Sequence, residues 1–341
     1  MMIIGCDFHP RFQQIAFLDQ ETGEYGERRL GHPEEAERYY RSLARQGVRI
    51  GVEATGNYGW FLRLMQELGH EVVLGDATQI RASNPRKQKT DKRDARHILT
   101  LLVEDRFPAV WQPPLENEEQ RQLLLHRCRM VQMRTRVKNQ LDAIAKNEGW
   151  LSPRVWGAKR REQMEGLALT GWRAERRRDL LALLEELDGR IAPLDEAVCR
   201  AAEADSEARL LMTHPGVGPM VSLAYVLVLG DWRRFPRGKQ VGSYLGLIPV
   251  EESSGSKRRL GEVSKQGNTL VRWLLVEAAA TAQRYDASWH RQYVRLSMTK
   301  HHGVAKVAIA HKLAVRLYWM LRSGEDYSKV MERGSHVGQS E

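Results

Sequence analysis

The sequence predicts an α/β domain at the N-terminus and a longer, mostly helical region behind it. Short apolar segments rich in β-branched residues alternate with amphipathic helical patterns over residues 1–75. Long helical patterns then cover residues 117–147 and 173–203. Beyond residue 207, apolar helices are separated by turns that contain glycine and proline. Together these observations indicate an α/β domain joined to a helical one.

The order of strands and helices in the first domain limits the folds that it can adopt. The expected strands are 2–8, 13–18, 24–30, 48–53 and 71–75, and the expected helices are 33–46 and 58–68. The third strand follows a turn at residues 21–23. Three antiparallel strands followed by alternating helices and strands is the order of an RNase-H-like fold.

Charge and proline patterns divide the chain further. A basic run at 81–96 predicts a loop that turns into a helix continuing to about residue 105, and Pro108, Pro113 and Pro114 mark a boundary after it. The expected segments are an RNase-H-like domain at 1–112, a helical coiled-coil region at 113–205, a mostly helical domain at 206–325 and a disordered tail at 326–341. The polar stretch from Pro249 to Asn268 is expected to be irregular.

An apolar stripe follows the second long helical pattern with nearly heptad spacing. Its members are Leu180, Leu184, Leu187, Ile191 and Leu194. Two long helices of this kind suggest a coiled-coil arm. The same stripe is also typical of a helix buried in a bundle, because fewer than four heptads are visible. Both interpretations stay open, and so does dimerisation through the stripe.

The segment HPGVGP predicts a tight turn between two apolar helices, which is the pattern of a helix-hairpin-helix. Its glycines, Gly216 and Gly218, would present backbone N–H groups at a helix N-terminus, where a phosphate binds favourably. The alternative is a turn with a structural role only.

The chain is basic. Its 341 residues include 53 Lys and Arg against 43 Asp and Glu, which gives a formal charge of +10 and a pI near 9.6. This balance is typical of a protein that meets nucleic acid. Cys6, Cys128 and Cys199 form no CxxC pair, so neither a disulfide framework nor a zinc site is indicated. No segment reaches the roughly 20 apolar residues that span a bilayer, and we expect a cytoplasmic protein with no membrane partner.

Four carboxylates are predicted to converge. Asp7 ends the first strand in GCDFHP, and Glu53 ends a buried strand in GVEATGNY. Asp91 and Asp94 in KTDKRDAR are spaced i, i+3 and share one helix face. Oxygen-rich clusters of this kind bind Mg²⁺ or Mn²⁺ and suit phosphodiester chemistry. Taken singly, each residue also has a structural interpretation as a turn or helix cap or a solvated strand end.

Basic residues accompany these carboxylates, as phosphate contacts would. Those around the aspartate pair are Arg86, Lys87, Lys89, Lys92, Arg93 and Arg96. A further basic face is expected on the first long helix, at Arg127, Arg134 and Lys138.

A serine-rich segment, PVEESSGSKRRLGEVSKQGN, lies closer to the C-terminus. Ser253 and Ser254 stand beside basic residues, which is the composition of a phosphoryl-transfer nucleophile. Those basic residues are Lys257, Arg258, Arg259 and Lys265. By composition alone a flexible loop is the more ordinary interpretation.

The blocks GCDFHP, GVEATGNY, KTDKRDAR, HPGVGP and LGLIPVEESSGSKRRLGEVSKQGN, in this order, closely resemble those of the transposases of insertion-sequence family 110, the RNA-guided bridge recombinases. The resemblance runs from about residue 2 to residue 325. It implies a RuvC-like N-terminal domain, a coiled-coil middle and a C-terminal transposase domain with a nucleophilic serine. The family's acidic positions fall on Asp7, Glu53, Asp91 and Asp94, and its serine falls on Ser254, with Ser253 as the alternative.

The resemblance further implies the partners and the reaction. The partners are donor and target DNA, a noncoding bridge RNA from the element itself, and further copies of the chain in a tetramer built from dimers. In the implied reaction Ser254 attacks a DNA phosphate with the help of the metal held by the carboxylates, and religation recombines the DNA. Because Asp94 and Ser254 are far apart in sequence, the active site can be shared between subunits.

Two other function classes remain open from the sequence. A metal-dependent junction nuclease would use water as its nucleophile and the serine segment only to bind phosphate. A non-catalytic nucleic-acid-binding protein would be expected to lack one of the acidic residues, and all four are present.

Overall fold

The structure, a computed structural model, describes residues 1–54, 56, 58–84, 90–150, 156–251 and 259–332. It divides into two compact units, Met1–Leu115 and Glu116–Glu341. The first is a mixed α/β unit. Within the described residues, the second is helical apart from a short two-stranded sheet. This distribution agrees with the predicted class of an α/β domain followed by a helical region.

Strands and helices alternate in the α/β unit. In chain order they are β1 (Met2–Phe8), β2 (Phe12–Asp19), β3 (Tyr25–Gly31), α1 (Glu34–Ser42), β4 (Val48–Glu53), α2 (Gly59–Glu67), β5 (Glu71–Gly75), α3 (Ala77–Ala82) and α4 (Asp91–Val103). Each strand lies within one residue of its predicted bounds. Helix α3 was not predicted. It begins because Asp76 accepts hydrogen bonds from the backbone N–H groups of Thr78 and Gln79, at 2.8 and 2.9 Å.

The five strands form one mixed sheet in the order β3-β2-β1-β4-β5. β2 runs antiparallel to both of its neighbours, β1 and β3, whereas β4 runs parallel to β1 and β5 runs parallel to β4. β1 is therefore the central strand. The parallel register pairs Cys6 with Val52, so the C-terminal ends of β1 and β4 lie side by side.

Alternate residues of β1 face different cores. Ile4 and Cys6 are fully buried on the side covered by α1 and α2. Ile3 is buried on the other side, where it packs with Ile98 and other apolar residues of α4. Asp7 has the same parity as Ile3 along the strand. The register therefore places Asp7 on the α4 side of the sheet.

Two glycines let α4 lie directly on the sheet. A Cβ atom at Gly5 would come 2.3 Å from both the carbonyl oxygen of Ala95 and the amide nitrogen of Leu99. A Cβ atom at Gly51 would come 2.7 Å from Leu102 Cδ1. The contacts at Gly5 are with the α4 backbone and cannot be relieved by turning a side chain, whereas those at Gly51 are with side-chain atoms of Leu102 and Ile98. The helix can therefore approach β1 this closely only because residue 5 is a glycine.

Helices make up most of the second unit. In chain order its elements are α5 (Glu118–Asn147), α6 (Ala158–Glu165), α7 (Trp172–Ala204), α8 (Ser206–Met212), α9 (Pro219–Leu229), α10 (Gly238–Tyr244), β6 (Pro249–Glu251), β7 (Leu260–Val263), α11 (Thr269–Tyr285), α12 (Ala287–Ser297), α13 (His302–Ser323) and α14 (Tyr327–Glu332). Single 3₁₀ turns lie at Leu115–Asn117 and Trp232–Arg234. Among the described residues, no helix combines the length and apolarity required to cross a membrane.

The predicted apolar stripe is buried inside the chain. α5 and α7 pack side by side as an antiparallel pair, and Leu180, Leu184, Leu187 and Ile191 of α7 are buried in the core that the pair shares. Ion pairs along the pair hold the register, since Arg127 lies 2.7 Å from Asp195 and Arg134 lies 3.0 Å from Asp188. The apolar stripe is therefore covered by α5 of the same chain.

The C-terminal helices enclose the largest core of the second unit, which includes residues of α8, α9, α11 and α13. Two buried tyrosines cross-link it. Tyr225 donates a hydrogen bond to the carbonyl of Ala314 at 2.6 Å, and Tyr318 donates one to the carbonyl of Phe235 at 2.6 Å. Each bond satisfies a hydroxyl that would otherwise be costly to bury.

The polar stretch from Pro249 to Asn268 was predicted to be irregular, and this prediction is wrong in part. β6 and β7 pair antiparallel within it, with Glu251 opposite Leu260. The strands are too short for an alternation of apolar and polar residues to be visible in the sequence.

The prediction of a disordered C-terminal tail is wrong for the first residues of that tail. Residues from 326 were expected to be disordered, but α14 starts at Tyr327, whose hydroxyl donates a hydrogen bond to Asp286. Val330 of the same helix is buried in the C-terminal core. These two anchors explain why the helix forms. Residues 333–341 lie outside the described residues.

We predict that Gly5→Ala destabilises the α/β unit by about 1–3 kcal/mol, because the new methyl group would push α4 off β1. Urea unfolding measures this change. Gly47→Ala is the control, since a Cβ atom there would meet only Met1 Cγ at 3.8 Å. Equal unfolding midpoints for the two variants would contradict the packing argument.

Candidate active site

Three of the predicted carboxylates lie where β1 meets the start of α4. Asp7 is the next-to-last residue of β1, while Asp91 and Asp94 occupy the first turn of α4. The cap of α4 is Thr90, which accepts a hydrogen bond from the N–H of Arg93 at 3.4 Å. Because Thr90 fills the capping role, the side chain of Asp91 remains available to a ligand.

Asp7, His9 and Asp91 form a compact cluster. The Nε2 atom of His9 lies 3.1 Å from Oδ2 of Asp7 and 3.7 Å from Oδ1 of Asp91. One ligand atom from each of the three residues lies within 4.8 Å of the others. Two carboxylates and an imidazole at this separation are a donor set that can hold a divalent cation.

The electrostatics of Asp7 show that the carboxylates act on one another. The pKa of Asp7 is raised, chiefly because burial removes water from the carboxyl group. The nearby His9 lowers that pKa, and repulsion from Asp94 and Asp91 raises it again. Asp94 is therefore close enough to belong to the same electrostatic group. A bound cation would relieve both the repulsion and the loss of solvation.

Glu53 occupies the corresponding position on the neighbouring strand. It follows Val52, the register partner of Cys6, just as Asp7 follows Cys6. Its carboxylate Oε1 lies 3.2 Å from Nη2 of Arg81, at the end of α3. The described contacts thus place Glu53 at the same end of the sheet but in an ion pair, outside the three-residue cluster.

Sequence reasoning missed His9. Its signal was the spacing of Asp7 and His9 in GCDFHP, because residues two apart at a strand end point to the same side. A lone histidine after a strand is common, so that spacing became informative only when Asp91 was found across from it.

The predicted basic residues near the cluster differ in their surroundings. Arg96 forms an ion pair with Glu27 of β3, and the hydrogen bond from Arg96 lowers the pKa of Glu27. Lys92 and Arg93 are exposed at the first turn of α4. Arg86, Lys87 and Lys89 lie outside the described residues. Their contacts with phosphate stay predictions.

The basic face predicted on α5 is partly neutralised within the chain. Arg127 and Arg134 pair with Asp195 and Asp188 of α7. Burial lowers the pKa of Lys138, the nearby Arg134 lowers it further, and Asp188 raises it. Arg127 and Arg134 link the two helices, and a role for all three residues in nucleic-acid binding stays a prediction.

The HPGVGP turn joins α8 to α9, with Gly218 capping α9. Gly216 has a φ of +83°, and a Cβ atom there would come 2.7 Å from the carbonyl oxygen of Ala278 in α11. Its conformation and this close approach both require glycine. Packing therefore accounts for Gly216, and phosphate binding by this turn stays a prediction.

Ser253 and Ser254 lie outside the described residues, as do Lys257 and Arg258. In the sequence they fall between β6 and β7, whose facing ends are Glu251 and Leu260. Downstream, Lys265 lies 3.3 Å from Glu262. Arg259 directly precedes β7.

Two family models match the chain in order. Residues 4–147 match a model of DEDD transposases of the IS110 type. Residues 208–295 match a model described as the transposase IS116/IS110/IS902 family. The first match contains the Asp7, His9 and Asp91 cluster, and the second contains the HPGVGP turn and the serine segment.

Individual transposases align along most of the chain. A probable family 20 transposase of Pseudomonas aeruginosa is 28% identical over 336 residues, covering 94% of this chain and 97% of that protein. The transposase for insertion sequence element IS1111A of Coxiella burnetii is 26% identical over 343 residues, covering 95% and 91%. The transposase for IS1328 of Yersinia enterocolitica is 28% identical over 294 residues, covering 82% and 85%. With both models matched in order and these relatives aligned beside them, the chain belongs to the IS110 family of transposases and is a DNA transposase.

Proposed function

We propose that the α/β unit is an RNase-H-like (RuvC-like) domain whose Asp7, His9 and Asp91 cluster supports metal-dependent phosphoryl transfer on DNA. The observation that carries this proposal is the approach of three ligand atoms to within 4.8 Å of one another. The strand order β3-β2-β1-β4-β5, with a central β1 that bears Asp7, supports the fold assignment.

The donor set fits Mg²⁺ or Mn²⁺. Asp7 and Asp91 would supply oxygen ligands, and Asp94 and Glu53 would complete the acidic group at the same end of the sheet. His9 adds a nitrogen donor, which transition metals accept more readily than Mg²⁺ does, so Mn²⁺ fits this trio at least as well. When bound, such a cation stabilises negative charge on the phosphoryl oxygens and on the leaving oxygen.

Ser254 is the proposed nucleophile, with Ser253 as the alternative. Its Oγ attacks phosphorus and loses its proton, so a serine–phosphate bond forms as the bond from phosphorus to the 3′-oxygen of the DNA strand breaks. The 3′-hydroxyl of the partner strand then attacks the phosphoserine, which releases the serine and restores a phosphodiester. Support comes from the family membership and from the basic residues Arg259 and Lys265 beside the segment.

RNA guidance and assembly complete the proposal. A noncoding bridge RNA from the element would pair with donor and target DNA, and a tetramer would hold the complex. The net charge of +10 supports extensive contact with nucleic acid. The carboxylates and the serine segment belong to different units of the chain, which is compatible with an active site shared between subunits.

We predict that Asp91→Asn lowers the affinity for Mn²⁺ by at least about tenfold, because it removes a charged ligand from the trio. Isothermal titration calorimetry measures this affinity. DNA joining should fall with it. Asp105→Asn is the matched control, since Asp105 follows the same helix with a φ of +53°, a conformation that asparagine tolerates. Undiminished Mn²⁺ binding by Asp91→Asn, or full strand exchange in excess chelator, would rule out the metal site.

We predict that Ser254→Ala abolishes the covalent protein–DNA adduct but leaves DNA affinity nearly unchanged, because only the attacking oxygen is lost. Denaturing gel electrophoresis detects the adduct, and a filter-binding assay measures affinity. If only Ser253→Ala loses the adduct, the nucleophile is Ser253. If the double variant still recombines DNA while Asp91→Asn does not, water is the nucleophile and the protein acts as a metal-dependent nuclease.

We predict that RNA copurifying with the protein maps to a noncoding end of its own element, because a bridge RNA would stay bound through many phosphate contacts. Sequencing of the bound RNA provides the measurement. Removal of the RNA by ribonuclease should abolish selectivity between target DNA sequences. A random sample of cellular RNA on the protein would contradict guided recognition.

A further inference from the structure

A row of side chains crosses three strands of the sheet at the level of the acidic cluster. Asp7 of β1 is paired with Gln14 of β2, and Gln14 is paired with Arg29 of β3. Residues directly opposite one another on neighbouring strands point to the same face of a sheet. Arg29 therefore lies on the same face as Asp7, two strands away.

The guanidinium of Arg29 is oriented by an aromatic ring that also contacts the acidic cluster. Its central carbon lies 3.8 Å from the centre of the Phe12 ring. The Phe12 ring in turn lies 4.6 Å from the ring of His9. Since His9 contacts both Asp7 and Asp91, Phe12 connects Arg29 to the cluster through direct ring contacts.

A cleft of about 480 Å³ opens beside this row. Its lining residues are Gln14, Glu27, Arg28, Arg29, Thr90, Asp91 and Lys92. The volume lies in the range of clefts that hold small ligands, about 300–1,000 Å³, so a nucleotide of a DNA strand can enter it. Asp91 is common to the cleft and the cluster, so a strand in the cleft would lie next to the carboxylates.

The charges in the cleft favour an anion. Glu27 is already compensated by its ion pair with Arg96. Arg29 is exposed, and no acidic side chain of the described residues forms an ion pair with it. Lys92 adds a second cation to the lining. A planar guanidinium offers two parallel N–H groups, which match two oxygens of one phosphate.

We propose that Arg29 binds a backbone phosphate of the DNA strand and positions that strand in the cleft for reaction at the Asp7, His9 and Asp91 cluster. This role rests on the proposed metal-dependent function of that cluster. Phe12 keeps the guanidinium in place, and Gln14 fills the row between Arg29 and Asp7.

The adjacent Arg28 offers a matched control. It is opposite Ile15, so its side chain leaves the other face of the sheet. There its guanidinium carbon lies 5.4 Å from the centre of the Tyr39 ring and 6.0 Å from that of Phe17. Arg28 is also a lining residue of the cleft, and its backbone carbonyl accepts a hydrogen bond from Gln14 at 3.0 Å. Replacing either arginine by alanine removes the same charge from the same strand.

The experiment compares Arg29→Ala, Arg29→Lys and Arg28→Ala in the full-length protein. DNA affinity is measured across a series of salt concentrations, and Mn²⁺ affinity is measured by calorimetry. We expect Arg29→Ala to weaken DNA binding about tenfold and to reduce the salt slope by about one unit, as the loss of one phosphate contact does. Arg29→Lys should restore the salt slope but not the full joining rate. Mn²⁺ affinity should remain at the wild-type value.

Equal DNA affinity and salt slope for Arg29→Ala and Arg28→Ala would overturn the proposal. Loss of Mn²⁺ binding by Arg29→Ala would also overturn it, because that result would assign Arg29 to maintaining the cluster. If Arg29→Ala fails to fold, Arg29→Gln keeps most of the side chain and provides the same comparison. Failure of the proposed metal site can be distinguished from failure of the Arg29 proposal. It would appear as full activity of Asp91→Asn, whatever the Arg29 variants do.

Discussion

The contact between the backbone of α4 and Gly5 of β1 is the constraint on which the candidate site depends. The carboxylates come from segments far apart in sequence, and neither β1 nor α4 can form the cluster alone. With no side chain at Gly5, the helix backbone at Ala95 and Leu99 reaches the strand itself. One turn earlier on the same helix, Asp91 is then held beside Asp7 and His9. The packing of an apolar layer thus sets the spacing of polar ligand atoms.

The cluster is costly to the folded protein unless something compensates it. Burial raises the pKa of Asp7, and the two aspartates of α4 raise it further. His9 opposes this effect from within the cluster. A carboxyl group whose pKa is raised by burial and by neighbouring carboxylates is common at functional sites, where such shifts serve the chemistry. The fold tolerates this cost because the apolar contacts of α4 hold the charges together.

Local patterns in the sequence predicted the sheet well and its long-range pairings poorly. Strand positions follow from alternation and β-branched residues, and Asp7 and Asp91 follow from their places at element ends. The ion pair of Arg96 with Glu27 depends on how α4 crosses β3, which no local pattern encodes. The same holds for the pairing of Glu53 with Arg81, because α3 begins at a cap that the sequence reasoning missed. His9 was missed because its partner Asp91 lies on a distant segment.

The structure also separates cations that stabilise the chain from cations that can meet DNA. A net charge of +10 alone does not distinguish them. Arg127 and Arg134 look like a basic face in the sequence, yet each has an aspartate of α7 within hydrogen-bonding distance. Such pairs are already compensated, so a phosphate would have to compete with a carboxylate for each of them. Arg29 has an aromatic ring beneath its guanidinium and a cleft in front of it. Contact with an aromatic ring orients the cation without neutralising it. The cations that matter for binding are therefore defined by what they pack against, and at this site Phe12 has that role.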